Sequence, residues 1–570
     1  MKSVKGEEWR FRDVDEELAL ALSSRLSISS LLARILSARG FSDPEEVYAY
    51  LHPTLRNLHD PLLMKDMERA VNVIGRALAE GDNILVYGDY DADGITAAAL
   101  AIRMLGTADS DSVILKYLPS RHEEGYGLSR SGIDTAVDSG ADLIITVDCG
   151  IKAVEETAYA VEKGVDVIVT DHHEPGKTLP GAKAVIDPKR PDCMYPFKEI
   201  AGVGVAFKLA WALQTEGLIR DDVRNYLDLV ALGTVADLVP LVDENRAIVS
   251  EGLRQLRNTD NLGIRALMRE SGIDPFLGIT SADIAFKMGP RINSAGRLGN
   301  PDMALDMLLT GDRVDADLFA RQLNTLNFKR KAIGNRITDE VREQITVQDL
   351  GDDPIIVVGK EGWHPGVLGI SASSIMGETG KPTIILSIEG DTAKGSARAP
   401  AGFDLIGALD SCGQILLEHG GHELAAGVTL HRNSIPVLRS SLIDHLLKNY
   451  PDRKFVPVKK IDVGVALSEL TLDELSDLEL MSPTGKSNEQ PMIHISSAHI
   501  GAGFGTVGDG KHLKFRLQDD ESSVDCIWFG MGGLSDELFD GIEVEVVGIP
   551  DIHRWNGRET PQIRVLDMRI

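Results

Sequence analysis

The chain has 570 residues, which at roughly 150 residues per domain points to about three or four domains. Hydrophobic residues make up 43% and charged residues 26%, which excludes a disordered chain, a collagen and a disulfide scaffold. There are 59 Lys and Arg against 87 Asp and Glu, a net charge of −28; that excludes a generic basic nucleic-acid coat, but not an enzyme that holds a few arginines locally.

In chain order, residues 1–60 read as a charged helical segment, with SDPEEVYAYL offering a Ser cap and an acidic first turn. From Asn83 the texture changes. NILVYGD, VILKYL, ADLIITVD, VDVIVTD and AKAVIDP are short apolar runs, with helical stretches between the earlier ones. Such runs predict a parallel sheet covered on both faces. Residues 200–310 read as mostly helical, so 61–310 is expected to be one α/β domain with a helical part. The amphipathic stretch 314–345 predicts one long helix, a connector within 311–350. PIIVVGKEG and KPTIILSIEG open a second, smaller α/β domain over 351–453. Several strand-like segments after Pro457, read as alternating and antiparallel, give 454–570 the look of an OB-like β-barrel.

Cys149, Cys193, Cys412 and Cys526 are scattered, without a CxxC pair, and read as reduced intracellular thiols. No run reaches the roughly 18 apolar residues of a membrane span. The opening MKSVKGEEWRFRDVDEE is acidic where a secretory leader needs an apolar core. A soluble, cytoplasmic protein without membrane contact is expected.

The residues that carry chemistry sit at strand ends. LVYGDYDADG puts Asp89, Asp91 and Asp93 just past one predicted strand. TVDCG puts Asp148 past another, and VIVTDHHEP puts Asp171, His172 and His173 past a third. Asp237 lies in the apolar ALGTVADLVPL. In a parallel sheet those ends share one edge, where ligands bind. Singly, an acidic loop, a His pair or a buried Asp has a structural reading; the coincidence points to a metal site. A calcium loop fits poorly, because the expected later Glu is absent and the flanks are strand then helix. Carboxylates with imidazole and no thiolate suit Mn²⁺ or Mg²⁺. With Asp148 bridging two ions roughly 3.5–4 Å apart, the set has the layout of two-metal hydrolysis.

DYDADG, VDCG, DHH and GTVADLVPL, in that order, resemble the DHH phosphoesterase superfamily. RHEEGYGLS, AGVGVAFKLA, PRINSAGRLG, EGWHPGVLGI, GSAR, GGHELAAG and RWNGRETPQIRVLDMRI extend the similarity to its RecJ branch over nearly the whole chain. The resemblance implies Asp91 and Asp148 on one ion, and Asp93, Asp148, His172 and Asp237 on the other, with Asp89 and His173 close by. Tyr87 stands where some members place a ligand His, so Asp89 is a possible substitute. Asp148, His172 and His173 are the candidate catalytic residues.

A nuclease needs cations for phosphates and flat groups for bases. Arg121 and Tyr126, then Arg291, Asn293 and Arg297, are candidates, as are Ser396 and Arg398 and the Gly420-Gly421-His422 turn. Singly most of these read as ordinary surface or turn residues; RecJ-like proteins use the same motifs to hold the terminal phosphate and adjacent nucleotides. Trp363 and His364 read equally as interdomain core or as lining of the entry. Trp528, Phe529 and Trp555 are available for base stacking in the barrel, or as barrel core. The implied activity is single-stranded-DNA exonuclease action, 5′ to 3′, releasing mononucleotides in DNA repair and recombination. The alternatives are an archaeal-type relative acting on RNA or 3′ ends with a GINS complex, a small-substrate DHH phosphodiesterase, and a non-catalytic replisome scaffold. Single-strand-binding protein or a helicase are candidate partners.

Overall fold

The strand β1 (Glu8–Phe11) lies in the stretch where sequence analysis gives only helix; three helices, Glu16–Leu26, Ser30–Ala38 and Pro44–Leu51, then follow as expected. The structure, a computed structural model, describes residues 3–121, 124–451 and 455–570. It divides into two compact units: one holds the chain up to Val47 with Lys329–Leu480 and Pro491–Ile570, the other Tyr48–Phe328 with Met481–Gln490.

The second unit is built on the five apolar runs. They form β2 (Ile84–Tyr87), β3 (Ile114–Tyr117), β4 (Leu143–Val147), β5 (Asp166–Thr170) and β6 (Ala184–Ile186). All pairings are parallel, in the order β3-β2-β4-β5-β6. Every residue of β2, β4 and β6 is buried, which is why these strands read as continuous runs and not as alternation. The pleat sends Ile84, Val86, Leu143 and Ile145 into one core with the helices Ala92–Leu105, Gly202–Thr215 and Leu227–Ala236. Leu85, Tyr87 and Ile144 enter the other, with Ile133 and Ala160 of the helices Arg130–Asp138 and Val154–Glu162. From β2 the chain goes outward to β3 and returns to the opposite side of β2 for β4. That reversal opens a crevice at the carboxyl ends of β2 and β4, the usual ligand position in an open α/β sheet.

In the first unit, β7 (Ile356–Glu361), β8 (Thr383–Glu389), β9 (Thr392–Arg398), β10 (Leu416–His422) and β11 (Ala425–His431) form a mixed sheet ordered β10-β11-β9-β8-β7. Only β7 and β8 run parallel. The long helix spans Arg313–Val347, and the division between the units falls inside it, at 328/329. Its Ile337 and Val341 pack with Ile356, Val358 and Trp363. Trp363 is 3% exposed and its indole N–H donates to Glu340 at 2.6 Å, so it is core and does not line an entry.

The C-terminal strands are β12 (Val458–Ile461), β13 (Val463–Gly464), β14 (Ile493–Ile500), β15 (Gly505–Val507), β16 (His512–Gln518), β17 (Ser523–Trp528), β18 (Glu543–Trp555) and β19 (Arg558–Arg569). Seven of them make one sheet, β13-β14-β18-β19-β17-β16-β15, which curls so that β14 also pairs with β16. The expected all-antiparallel pattern is corrected at two places: β13–β14 and β17–β19 are parallel. Alternation in a strand fixes which face is buried but not the direction of its partner. Trp528 is 1% exposed and belongs to the barrel core, whereas Phe529 and Trp555 are exposed. β12 takes β1 as a parallel partner, and Trp9 donates its indole N–H to Asp567 at 2.8 Å. The expected boundary at 453/454 falls outside the described residues. Among the described residues no helix is long and apolar enough to cross a membrane.

Candidate metal centre

The DYDADG segment joins β2 to the helix Ala92–Leu105. Asp91 caps that helix, accepting from the amides of Asp93 (2.9 Å) and Gly94 (3.2 Å). Gly94 carries no side chain because a Cβ there would lie 2.6 Å from the Asp89 amide nitrogen. Asp93 turns inward and receives the first amides of the helix Gly202–Thr215, Gly202 at 2.7 Å and Val203 at 2.9 Å. The AGVGVAF stretch, which is no dinucleotide fingerprint, thus places a helix N-terminus against a carboxylate. Asp148 follows β4 at φ 62°, a left-handed conformation that aims its side chain into the same crevice. Gly202 must be glycine for this: a Cβ there would meet Asp148 Oδ1 at 2.4 Å.

His172 and His173 follow β5. His172 Nε2 lies 3.1 Å from Asp148 Oδ1, 3.8 Å from Asp93 Oδ2 and 3.7 Å from Asp237 Oδ2. Asp237 ends the helix Leu227–Ala236. Three overlapping sets each gather ligand atoms within 4.8 Å of one another: Asp89-Asp91-Asp148, Asp93-His172-Asp237 and Asp148-His172-His173. Tyr87 is buried in the core on the other face, where its hydroxyl donates to the Gly127 carbonyl at 3.1 Å. Asp89 is the carboxylate beside Asp91 and Asp148, the position open to it as a substitute.

The electrostatics favour a bound cation or, without one, bound protons. Burial, and then neighbouring carboxylates, push the Asp89, Asp148 and Asp237 carboxyls well above their ordinary range, and raise Asp93 to about 7. Two like charges about 4 Å apart repel by roughly 4 kcal/mol at an effective dielectric constant of 20. Burial lowers His172 to about 3, so its imidazole is neutral and has a lone pair to give. Asp89 Oδ1, Asp148 Oδ1 and both ring nitrogens of His172 are buried without a hydrogen-bond partner. Orphaned carboxylate oxygens beside a neutral imidazole, which keeps one ring nitrogen to accept, fit hard divalent cations such as Mn²⁺ and Mg²⁺.

Asp171, buried beneath the pair of histidines, organises them. It accepts from the amides of Ile151 (2.9 Å) and His172 (2.7 Å) and lies 2.7 Å from His173 Nδ1. Burial would raise its carboxyl and depress His173; their mutual attraction outweighs both, so Asp171 is lowered and His173 raised. Tyr126 brings its hydroxyl to the Asp148 carbonyl (3.1 Å) and to His173 Nδ1 (2.9 Å).

The expected phosphate-binding residues separate. Arg121 packs over the Tyr90 ring at 5.2 Å, beside the metal segment. PRINSAGR forms the helix Gly289–Leu298, which braces that segment: Asn293 accepts from the Ala92 amide at 2.8 Å, and Gly296 lets Tyr90 approach. Arg291 is buried, its guanidinium donating to Asn324 (3.0 Å) and to the carbonyls of Lys287 (2.6 Å) and Glu270 (3.0 Å), which makes it part of the scaffold. Arg297 lies in the last turn of the same helix. Ser396 and Arg398 share β9 in the other unit, with Arg398 Nη1 donating to Ser396 Oγ at 2.8 Å. Gly420, Gly421 and His422 end β10; a Cβ on Gly421 would come within 2.3 Å of the Ala425 carbonyl, while Gly420 faces open space. Sequence reasoning missed the Gly202 and Val203 amides and the bracing role of Asn293. Asp187, buried after β6 with an orphaned Oδ2, was also missed, although its place after a strand run was visible.

Alanine at position 202 is expected to weaken Mn²⁺ binding roughly 10–100-fold, the range for residues that support metal ligands. Calorimetric titration measures it; unchanged affinity would mean that Asp148 does not need the clearance.

Carboxylates and imidazole that could hold hard divalent cations, gathered at the switch point of a parallel sheet, have the layout of a metal-dependent phosphoesterase. The DHH family N-terminal domain matches residues 83–234, the DHHA1 domain 352–449 and the RecJ OB domain 461–567. The chain is 38% identical over 566 residues to the single-stranded-DNA-specific exonuclease RecJ of Bacillus subtilis (strain 168), covering 99% of this chain and 71% of that protein. To the protein of the same name from Dickeya dadantii (strain 3937) it is 37% identical, covering 95% and 96%. The crystal structure of RecJ in complex with Mn²⁺ from Thermus thermophilus superimposes with a TM-score of 0.83 at 30% identity, over 99% of this chain and 79% of that one. The corresponding Mg²⁺ complex gives 0.78 at 28% identity, over 99% and 78%. The chain belongs to the RecJ family of single-stranded-DNA-specific exonucleases.

Proposed function

We propose that the protein hydrolyses single-stranded DNA from the 5′ end to mononucleotides, with Asp89, Asp91, Asp93, Asp148, His172 and Asp237 holding two divalent ions. The observation that carries this reading is the cluster of orphaned carboxylate and imidazole atoms at the β2/β4 crevice. Mn²⁺ or Mg²⁺ bound there supplies an activated water and charge neutralisation for the phosphoryl group. The chain's own contribution is placement. Asp91 and Asp93 are fixed by helix amides, Asp148 by its left-handed backbone and Gly202, and His173 by Asp171. His173 and Tyr126 supply proton-bearing groups beside Asp148, suited to hold the oxygens of a phosphate.

Digestion of 5′- and 3′-labelled DNA and RNA, single- and double-stranded, tests the reading. A 5′-labelled single DNA strand should release labelled mononucleotide first, with Mn²⁺ or Mg²⁺ and not with EDTA. Release from the 3′ label first, or a preference for RNA, would overturn polarity or substrate.

Arg398 and Ser396 are read as the grip on the terminal phosphate, a charge-assisted contact. Arg398→Ala should raise KM by about tenfold for 5′-phosphorylated strands and much less for 5′-hydroxyl strands. Equal effects on the two ends would remove Arg398 from that role.

A further inference from the structure

Ten residues from far along the chain, Met481–Gln490, fold with the metal-bearing unit. Arg246 holds them there. Its buried guanidinium donates to the carbonyls of Met481 (3.0 Å), Ser482 (3.0 Å) and Pro483 (3.1 Å). Its Nε donates to the Tyr50 carbonyl at 2.7 Å, and its charge lies 4.1 Å from the Tyr50 ring centre. Asn488 closes the loop, donating to the carbonyls of Met481 (3.0 Å) and Pro483 (2.8 Å) and accepting from the Tyr50 hydroxyl at 2.6 Å.

The tip of this loop sits near the metal centre. The Leu241 amide donates to the Lys486 carbonyl at 2.9 Å, and Gly485 packs so close that a Cβ would lie 2.7 Å from the Leu241 side chain. Leu241 is only one short turn of chain beyond Asp237. The Lys486 side chain is exposed and makes no ion pair among the described residues. The Lys189 ammonium, by contrast, is shared by Glu174 at 3.7 Å and Glu199 at 3.8 Å. Lys486 therefore carries an exposed ammonium, without an ion pair among the described residues, on a loop tip that touches Leu241. In a protein of net charge −28, a polyanionic strand needs local attraction of this kind to approach an acidic crevice.

We propose that Lys486 binds a backbone phosphate of the single strand next to the scissile one, on the Asp237 side of the metal centre, and that Arg246 positions it there. The inference rests on the nuclease reading above. Nothing in that reading assigns a role to Met481–Gln490.

The test compares two substrates in Mn²⁺: a short oligothymidylate, and the p-nitrophenyl ester of thymidine 5′-monophosphate, which carries the reacting phosphate alone. Lys486→Ala should raise the oligonucleotide KM by about tenfold, with a loss on the ester several-fold smaller. The slope of log affinity against log salt should flatten by about 0.7, the value for one phosphate contact to a single strand. Lys486→Arg should retain most of the affinity, and Lys163→Ala, a surface lysine of the same unit, should behave as the unaltered protein. Arg246→Lys keeps the charge but cannot span three carbonyls, and should reproduce the KM effect; if it does not fold, the Lys486 variants carry the test. An unchanged KM and salt slope in Lys486→Ala, or equal losses on both substrates, would overturn the inference alone. A wild-type protein inert on the oligonucleotide would overturn the nuclease reading and the inference with it.

Discussion

Asp148→Asn is expected to lower kcat on single-stranded DNA by roughly 10⁴-fold, the scale seen when one member of a cooperating catalytic set is removed. Asp148 belongs to the Asp89-Asp91 ligand-atom group, and its Oδ1 lies 3.1 Å from His172 Nε2 of the Asp93-His172-Asp237 group, so its loss disturbs both proposed ion positions. Asparagine keeps the shape and tolerates the left-handed backbone at φ 62°. The fold should therefore survive. In EDTA the variant should melt no lower than the unaltered protein, because asparagine replaces a carboxyl whose ionised form the fold disfavours: burial first, then Asp93, Asp91 and Asp237, raise it. Circular dichroism, melting curves and single-turnover cleavage check these outcomes together. A variant that stays within tenfold of full activity in Mn²⁺ would show that Asp148 does not bridge the ions.

The second large effect is a reversal of pH dependence by metal. Asp89, Asp93, Asp148 and Asp237 all have raised carboxyls, first through burial and then through their neighbours, whereas an unfolded Asp titrates near 3.9. The folded, ion-free protein thus binds more protons than the unfolded chain at pH values above about 4. Stability contributed this way is present at low pH and lost as pH rises through the folded values, of which Asp93 at about 7 is one. His173, also raised, has the same sign. Asp171 is lowered, so its contribution appears above the unfolded value and is complete before this window opens. His172, lowered to about 3, is neutral in the folded protein but protonated in the unfolded chain below about 6.5, so it alone opposes the trend, against four raised carboxyls and His173. In EDTA the melting temperature should therefore fall between pH 5.5 and 8. Mn²⁺ binds only the ionised carboxylates, so its affinity should rise over the same interval, and binding should release protons. At a thousand times its dissociation constant the ion stabilises by about 4 kcal/mol, enough to reverse the trend. Melting curves with and without EDTA, and calorimetry in two buffers of different protonation enthalpy, read both quantities. A melting temperature independent of pH in EDTA, together with no proton release, would dismiss the crowded-carboxylate account.

The parallel sheet was legible because a strand buried on both faces must be a continuous apolar run, and ILVY, LIITV and DVIVT are such runs. The clustering of Asp89, Asp148 and His172 followed from their place just after those runs, since parallel strands end on one edge. The long helix was legible from its unbroken amphipathic period. Arg291 was not: an arginine in a glycine-rich motif looks the same whether it faces phosphate or, as here, backbone carbonyls. Nor was the strand Glu8–Phe11, whose partner Val458–Ile461 lies at the far end of the chain.

The amino-acid order by itself determined the secondary elements of the sheet and the identity of its acidic and imidazole groups, because burial periodicity and side-chain chemistry are local properties. Only the folded chain decided which amides clamp Asp93, why residue 202 lacks a side chain, and how the loop that carries Lys486 comes to lie against Leu241. Those depend on distances between segments with no periodic relation to one another, and such distances are set by packing.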